Sequence, residues 1–293
     1  MIVPHLCGMT QPKRNARQLF MFKAFFDEAG DNEIGDFLMG GWLARFDEWE
    51  RFTEAWDKEL KFSPSIKYFN HNEAMGRKDE FEGWTESERD AKMMSLAGVI
   101  ARYDLIGLIG HVKIPELAAL FQNSIIPKRR LRSIVTYTEP YHHACQCVVA
   151  VTLGYQVVKV GNVTDRVDFI FDEGVPFLDD IVANYPRLKN VLPPEAVKIA
   201  GTIVAENDKN VVALQAADFL AGQKLLELRL KTEPPPLLLW DDKVEKMFSC
   251  VRKELQSIPA TISKLNVIWA SKQIDKVHER KRRKEEYERK KKR

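Results

Sequence analysis

Apolar residues in this 293-residue chain fall first into short dense runs and later into long helical stripes. Leu19 to Phe26 (LFMFKAFF) ends abruptly in Asp27-Glu28-Ala29-Gly30, the pattern of a buried strand running into a tight polar turn. Phe37 to Leu43 (FLMGGWL) has the same character and suits a second strand hairpinned onto the first, with Gly40-Gly41 marking a bulge or a close backbone approach. Phe46, Trp49, Phe52 and Trp56 then recur at helical spacing up to Leu60. A polar segment from Phe62 to Trp84 holds Tyr68-Phe69-Asn70-His71-Asn72-Glu73, and a helix over Glu86 to Arg102 follows a capping signal at Thr85. Leu105 to Val112 predicts a third strand, Ile134 to Val160 a long apolar helix, and Arg166 to Asp172 (RVDFIFD) a fourth strand that ends in Asp-Glu-Gly. Pro176 to Leu188 reads as a helix, Val197 to Ala205 as a short strand and Val212 to Leu230 as a strong helix, which Pro234-Pro235-Pro236 stops.

Strands and helices alternate after an opening hairpin, which predicts an α/β fold with a mixed sheet, parallel at least between the first and fourth strands. The expected organisation is an arm over 1–18, the α/β domain over 19–233, a helical extension over 234–275 and a basic tail over 276–293, a solvated or partly disordered helix. Composition is that of an ordinary globular protein, 45% hydrophobic and 30% charged, which excludes collagenous and wholly disordered chains. The net charge of +3 conceals an asymmetry: residues 276–293 carry 11 Lys and Arg against 4 Glu, a local +7 that leaves the remainder at −4. A basic end on an acidic body invites a polyanionic partner, and equally describes a solvated terminal helix. Cys7, Cys145, Cys147 and Cys250 show no CxxC spacing and imply neither a thiolate metal cage nor a disulfide framework. No stretch approaches the roughly 18 apolar residues of a membrane span and no signal core opens the chain, so a cytoplasmic protein with no membrane partner is expected.

Two apolar strands end in an acidic pair followed by a small residue, Asp27-Glu28 and Asp172-Glu173. In an α/β sheet the carboxyl ends of parallel strands form the crevice where ligands bind, so acids from two neighbouring strands converge there. Strand alternation puts Asp27 with Phe25 and Asp172 with Ile170 on one side, leaving Glu28 and Glu173 opposite. A third acid, Asp218, shares a helical face with Leu214, Ala217, Ala221 and Leu225, a face that should be buried. A buried carboxylate must be hydrogen-bonded, paired or bound to a cation. Each acid alone also fits a turn or a cap. Together, oxygen donors without histidine or thiolate suit Mg²⁺ or Mn²⁺, and a pair of such ions suits hydrolysis of a phosphodiester.

Phe26-Asp27-Glu28-Ala29-Gly30 followed by Phe37-Leu38-Met39-Gly40-Gly41, the mid-chain Phe171-Asp172-Glu173, and Leu214 to Gly222 (LQAADFLAG) resemble the bacterial and phage family known as domain of unknown function 3800. The resemblance covers about residues 20–230 and implies an RNase H-like mixed sheet flanked by helices, with a metal-dependent nuclease site by analogy with other proteins of that fold. It implies Asp27, Glu28, Asp172 and Asp218 as the acidic catalytic and metal-binding set, with Gln215 as a neighbouring polar group. Ala29 stands where the family's opening signature has Ser, which removes a hydroxyl but no carboxylate.

Secondary positions are Glu173, Gln215 and His71, the last either approaching substrate or serving the structure. His142 and His143 are adjacent on a helix and diverge by about 100°, so they cannot share one ion comfortably. Lys128, Arg129, Arg130 and Arg132 form a second basic cluster, suited to backbone phosphates or to a solvated loop. Three functions fit: a metal-dependent nuclease; a catalytically degenerate RNase H-like protein that binds nucleic acid or a partner in a mobile-element or defence system; and a small-molecule phosphatase using the same acids.

Overall fold

A computed structural model describes residues 21–31, 35–122, 140–162, 164–173, 178–190 and 192–230. The arm over 1–18, the cluster Lys128, Arg129, Arg130 and Arg132, the extension over 234–275 and the basic tail lie outside the described residues.

Strands β1 (Phe22–Asp31) and β2 (Asp36–Arg45) pair antiparallel over their whole length, from Phe22 opposite Arg45 to Asp31 opposite Asp36. Helices α1 (Phe46–Lys61), α2 (His71–Gly76) and α3 (Glu86–Arg102) follow. The Thr85 signal is a complete capping box: the Glu88 backbone N–H donates to the Thr85 hydroxyl oxygen, and the Thr85 N–H donates to the Glu88 carboxylate. Then come β3 (Ile106–Lys113), α4 (Ile114–Gln122), α5 (Pro140–Tyr155), β4 (Val167–Asp172), α6 (Leu178–Lys189), α7 (Pro194–Ile199), β5 (Ala200–Glu206) and α8 (Val212–Leu230).

The sheet runs β3-β2-β1-β4-β5, with β2 antiparallel to both neighbours and β4 parallel to β1 and to β5. This is the mixed, helix-flanked α/β sheet expected from the sequence. One face carries Ala24, Phe26, Met39, Leu43, Leu108, Phe169 and Phe171, buried in one cluster with Ala144, Val148 and Leu153 of α5. The opposite face, with Phe25 and Trp42, receives α8 and α1. There the Trp42 indole N–H donates to the Ala216 carbonyl at 2.8 Å, and rings of Phe25, Trp49, Phe52, Trp56, Phe69 and Phe219 run in contact from β1 to α8. Each edge-to-face contact adds about 0.5–1.5 kcal/mol beyond the area it buries.

Two expectations change, and one pair of alternatives is decided. Strand β1 does not stop at the acids: antiparallel pairing with β2 carries it through Asp27 and Glu28 to Asp31, and only its parallel ladder with β4 ends, at Phe26 opposite Phe171. Gly40-Gly41 is a close approach and no bulge, since the pairing is regular across it and a Cβ on Gly40 would lie 2.9 Å from the Ala221 backbone. Val197 to Ile199 belong to α7, because Pro193-Pro194 set up a helical turn before the chain enters β5 at Ala200. Of the stretch 134–160, the described part is helix over 140–155 and a π turn over 156–160, and His142 and His143 are both buried in it.

Candidate active site

Asp27 stands on β1 one residue past the last rung shared with β4, so its carboxylate enters the notch where β4 parts from β1. Its cross-strand neighbour is Gly40, whose missing side chain lets α8 lie against the sheet at Ala221. Asp27 is buried, and its Oδ1 accepts the Glu28 backbone N–H at 2.8 Å. Glu28, half-buried, alternates to the α5 side, where its charge acts on Tyr141. The Tyr141 hydroxyl is buried with no hydrogen-bond partner among the described residues.

Asp172 ends β4, and its Oδ1 accepts the Asp208 backbone N–H at 3.2 Å. Asp218 lies in the second turn of α8, buried, and its Oδ2 accepts the His71 backbone N–H at 2.6 Å. The structure thus brings Asp27, Glu28, Asp172 and Asp218 into one electrostatic group. Burial raises the Asp27 carboxyl well above its ordinary range, and Asp218, Glu28 and Asp172 push it further. Burial and Asp172 raise Glu28 to about 7. Asp218 also rises to about 7, from burial and from Asp208, Glu28 and Asp172, against the lowering effect of the His71 N–H.

Asp208 is the acid that sequence reasoning missed. It sits in the turn between β5 and α8, its carboxyl raised by burial and by Asp172 against the lowering effect of Lys209 and the Asn70 side chain. Turn residues have no apolar periodicity to mark them. The available signal was the Asn207-Asp208-Lys209 turn chemistry directly before the helix that carries Asp218.

The secondary positions resolve differently. Gln215 is a cross-brace: its Oε1 accepts the Trp56 indole N–H and the Phe69 backbone N–H, both at 3.1 Å, and its Nε2 donates to the Asp208 carbonyl at 3.1 Å. It ties the 68–73 loop and the 207–210 turn to α8. His71 contributes through its backbone. Its ring lies buried against Gly222, with Nε2 3.0 Å from Gln223 Nε2, and burial followed by Arg229 and Arg89 lowers its pKa to about 4. Glu173 is exposed and accepts the Asn207 side-chain N–H at 2.7 Å, outside the acidic group.

The donor set is all oxygen, and among the described residues no lysine or arginine is salt-bridged to Asp27, Glu28 or Asp218. Carboxylates that repel one another in a partly dry notch fit a hard divalent cation in their chemistry. As they stand, no three His, Cys, Asp or Glu side chains among the described residues close tightly enough to grip an ion.

No protein-family model matches the chain, and no curated protein does. Among solved structures it is similar to a glutamine-to-alanine point mutant of Bst-RNase HIII, at 13% identity and a TM-score of 0.35, over 78% of this chain and 62% of that one. It is similar as well to Bst-RNase HIII in complex with Mn²⁺, at 12% identity and a TM-score of 0.35, over 85% of this chain and 77% of that one. The chain therefore spans less than two thirds of the length of the mutant enzyme's chain. The sheet order and the strand directions define the α/β architecture. Among the described residues no helix is long and apolar enough to cross a membrane.

Proposed function

We propose that this chain is a divalent-metal-dependent nuclease and a member of the domain of unknown function 3800 family. The observation that supports the reading is the electrostatic group itself: Asp27, Glu28, Asp208 and Asp218 are all raised, and Asp172 acts on every one of them. Acids so placed lower the stability of the fold unless a cation joins them, and such destabilised carboxylates gather at functional sites. Asp27, Asp172 and Asp218 would hold Mg²⁺ or Mn²⁺, with Glu28 and Asp208 beside them. A divalent cation held by these residues would supply charge stabilisation to a phosphodiester attacked in line by water. In that reaction the water oxygen bonds phosphorus as the bond to the leaving sugar oxygen breaks, and the departing oxygen ends protonated. The chain's own part is to present the carboxylates from β1, β4 and α8, while Gln215 and the His71 N–H hold the surrounding loops in place.

The purified full chain, incubated with single- and double-stranded DNA and RNA in Mg²⁺ or Mn²⁺, is expected to cleave at least one of them. The Asp27→Ala, Asp172→Ala double variant is expected to lose that cleavage by at least about 100-fold, in line with loss of an electrostatic stabiliser. Equal activity in the two samples, or none on any polymer, would sink the reading. The open spacing of the carboxylates favours one alternative, a degenerate RNase H-like scaffold that binds nucleic acid without cutting it. Metal-independent binding without cleavage is its signature.

A further inference from the structure

The acidic notch meets a difficulty with a polyanionic substrate, because the phosphates flanking the scissile one must approach several carboxylates. We propose that Lys209, seated on the ring of Tyr68, is the phosphate contact at the mouth of this site and holds the nucleic-acid backbone beside the acids. The proposal rests on the nuclease reading for its geometry, and its test is independent of cleavage.

Lys209 follows Asp208, whose backbone N–H is bonded to Asp172, so the position of the lysine is tied to the acidic group through the main chain. Asn207 fixes the turn by accepting the Lys209 backbone N–H on its Oδ1 at 3.0 Å. The Lys209 ammonium lies 4.6 Å from the centre of the Tyr68 ring, a separation at which the ring face attracts a cation. The Tyr68 hydroxyl donates to Glu73 Oε1 at 3.1 Å, which holds the ring in place. Among the described residues no carboxylate is salt-bridged to Lys209, and the side chain is exposed. Tyr68 interacts with the ammonium, and the charges of Glu73 and Asp208 attract it more weakly, so the cation is held at the rim while its exposed side remains open to a ligand. The scaffold beneath is braced: Gln215 bonds both Phe69 and Asp208, so the Tyr68 loop and the Lys209 turn are fastened to one another. A lysine recognises phosphate as a point charge, without reading base identity, which suits a contact to the sugar-phosphate backbone.

The test is fluorescence anisotropy with a labelled single-stranded DNA of about 12 nucleotides, several phosphate contacts long, and its RNA counterpart, in EDTA and again in Ca²⁺, over a series of salt concentrations. Lys209→Ala is expected to weaken binding about threefold to tenfold and to flatten the slope of log affinity against log salt by about 0.7, one single-strand phosphate contact. Lys209→Arg should restore the slope, and Tyr68→Ala should weaken binding in the same direction. Lys61→Ala, an equal loss of charge on α1, controls for net charge. Equal slopes for Lys209→Ala and Lys61→Ala would overturn the proposal, as would a wild type that binds neither oligonucleotide. A wild type that binds through Lys209 but never cleaves in Mn²⁺ leaves the contact standing and removes the nuclease reading alone.

Discussion

At the scale of the residue, the acids of the notch have a measurable cost to the fold. Asp218 rises from an ordinary 3.8 to about 7, chiefly through burial. Above about pH 4 the unfolded chain releases this proton while the folded chain keeps it to about pH 7. Wild-type stability from this group is therefore present below about pH 4, falls across that window and stays lost above it. Asp218→Asn keeps an oxygen for the His71 N–H and has no charge to bury. In EDTA it should be more stable than wild type by about 1–3 kcal/mol at about pH 8, with the advantage vanishing near about pH 4, in urea denaturation at the two pH values. An advantage that does not change with pH would refute this account. Mn²⁺ should narrow the gap at the higher pH by stabilising the wild type alone, a shift in melting temperature that Asp27→Asn should also abolish. Alternation along the strands and helical spacing were enough to place Asp27, Asp172 and Asp218 together from the sequence. They were not enough for Asp208, which no periodicity marks, nor for the role of His71, which acts through a backbone N–H that every non-proline residue carries.

At the scale of the element, the site depends on how closely α8 lies against β1 and β2, and small residues set that distance. Gly40 faces the Ala221 backbone, whereas Gly110 faces the Ala144 carbonyl of α5, where a Cβ would come within 2.8 Å. Gly40→Ala and Gly110→Ala should therefore destabilise the fold by similar amounts, about 1–3 kcal/mol. Only the first should reduce Mn²⁺ affinity and cleavage, because only it moves Asp218 away from Asp27. Equal losses of activity in both variants, compared at matched folded fraction, would show that the α8 spacing has no special part. The strands and most helices were legible because each buries an apolar face with its own period. The Val197 to Ala205 stretch misled because Val197 and Ile199 serve a short helix as readily as a strand, and the two prolines before them decide the matter. The continuation of β1 past the acids was hidden for a different reason: a residue's own strand cannot show that one neighbour continues where the other departs.

At the scale of the whole molecule, the total of +3 divides into +7 over 276–293 and −4 over the rest. An acidic body with a raised carboxylate group attracts cations and repels polymer, so long-range attraction of a polyanion falls to the basic segment and local phosphate contact to the rim at Lys209. Encounter and chemistry should then be separable. Deleting 276–293 is expected to weaken polynucleotide binding, to flatten its salt dependence and to raise KM, since 11 Lys and Arg leave with it. At saturating oligonucleotide kcat should stay within about twofold, because interactions made equally in the ground and transition states change KM and leave kcat alone. Single-turnover cleavage in Mn²⁺ by the full chain and the shortened one measures both terms. A collapse of kcat with unchanged KM would place the segment in the chemistry. Binding lost altogether, with no cleavage by either form, would favour the degenerate scaffold, in which the basic segment supplies the affinity and the acids are a relic of the site.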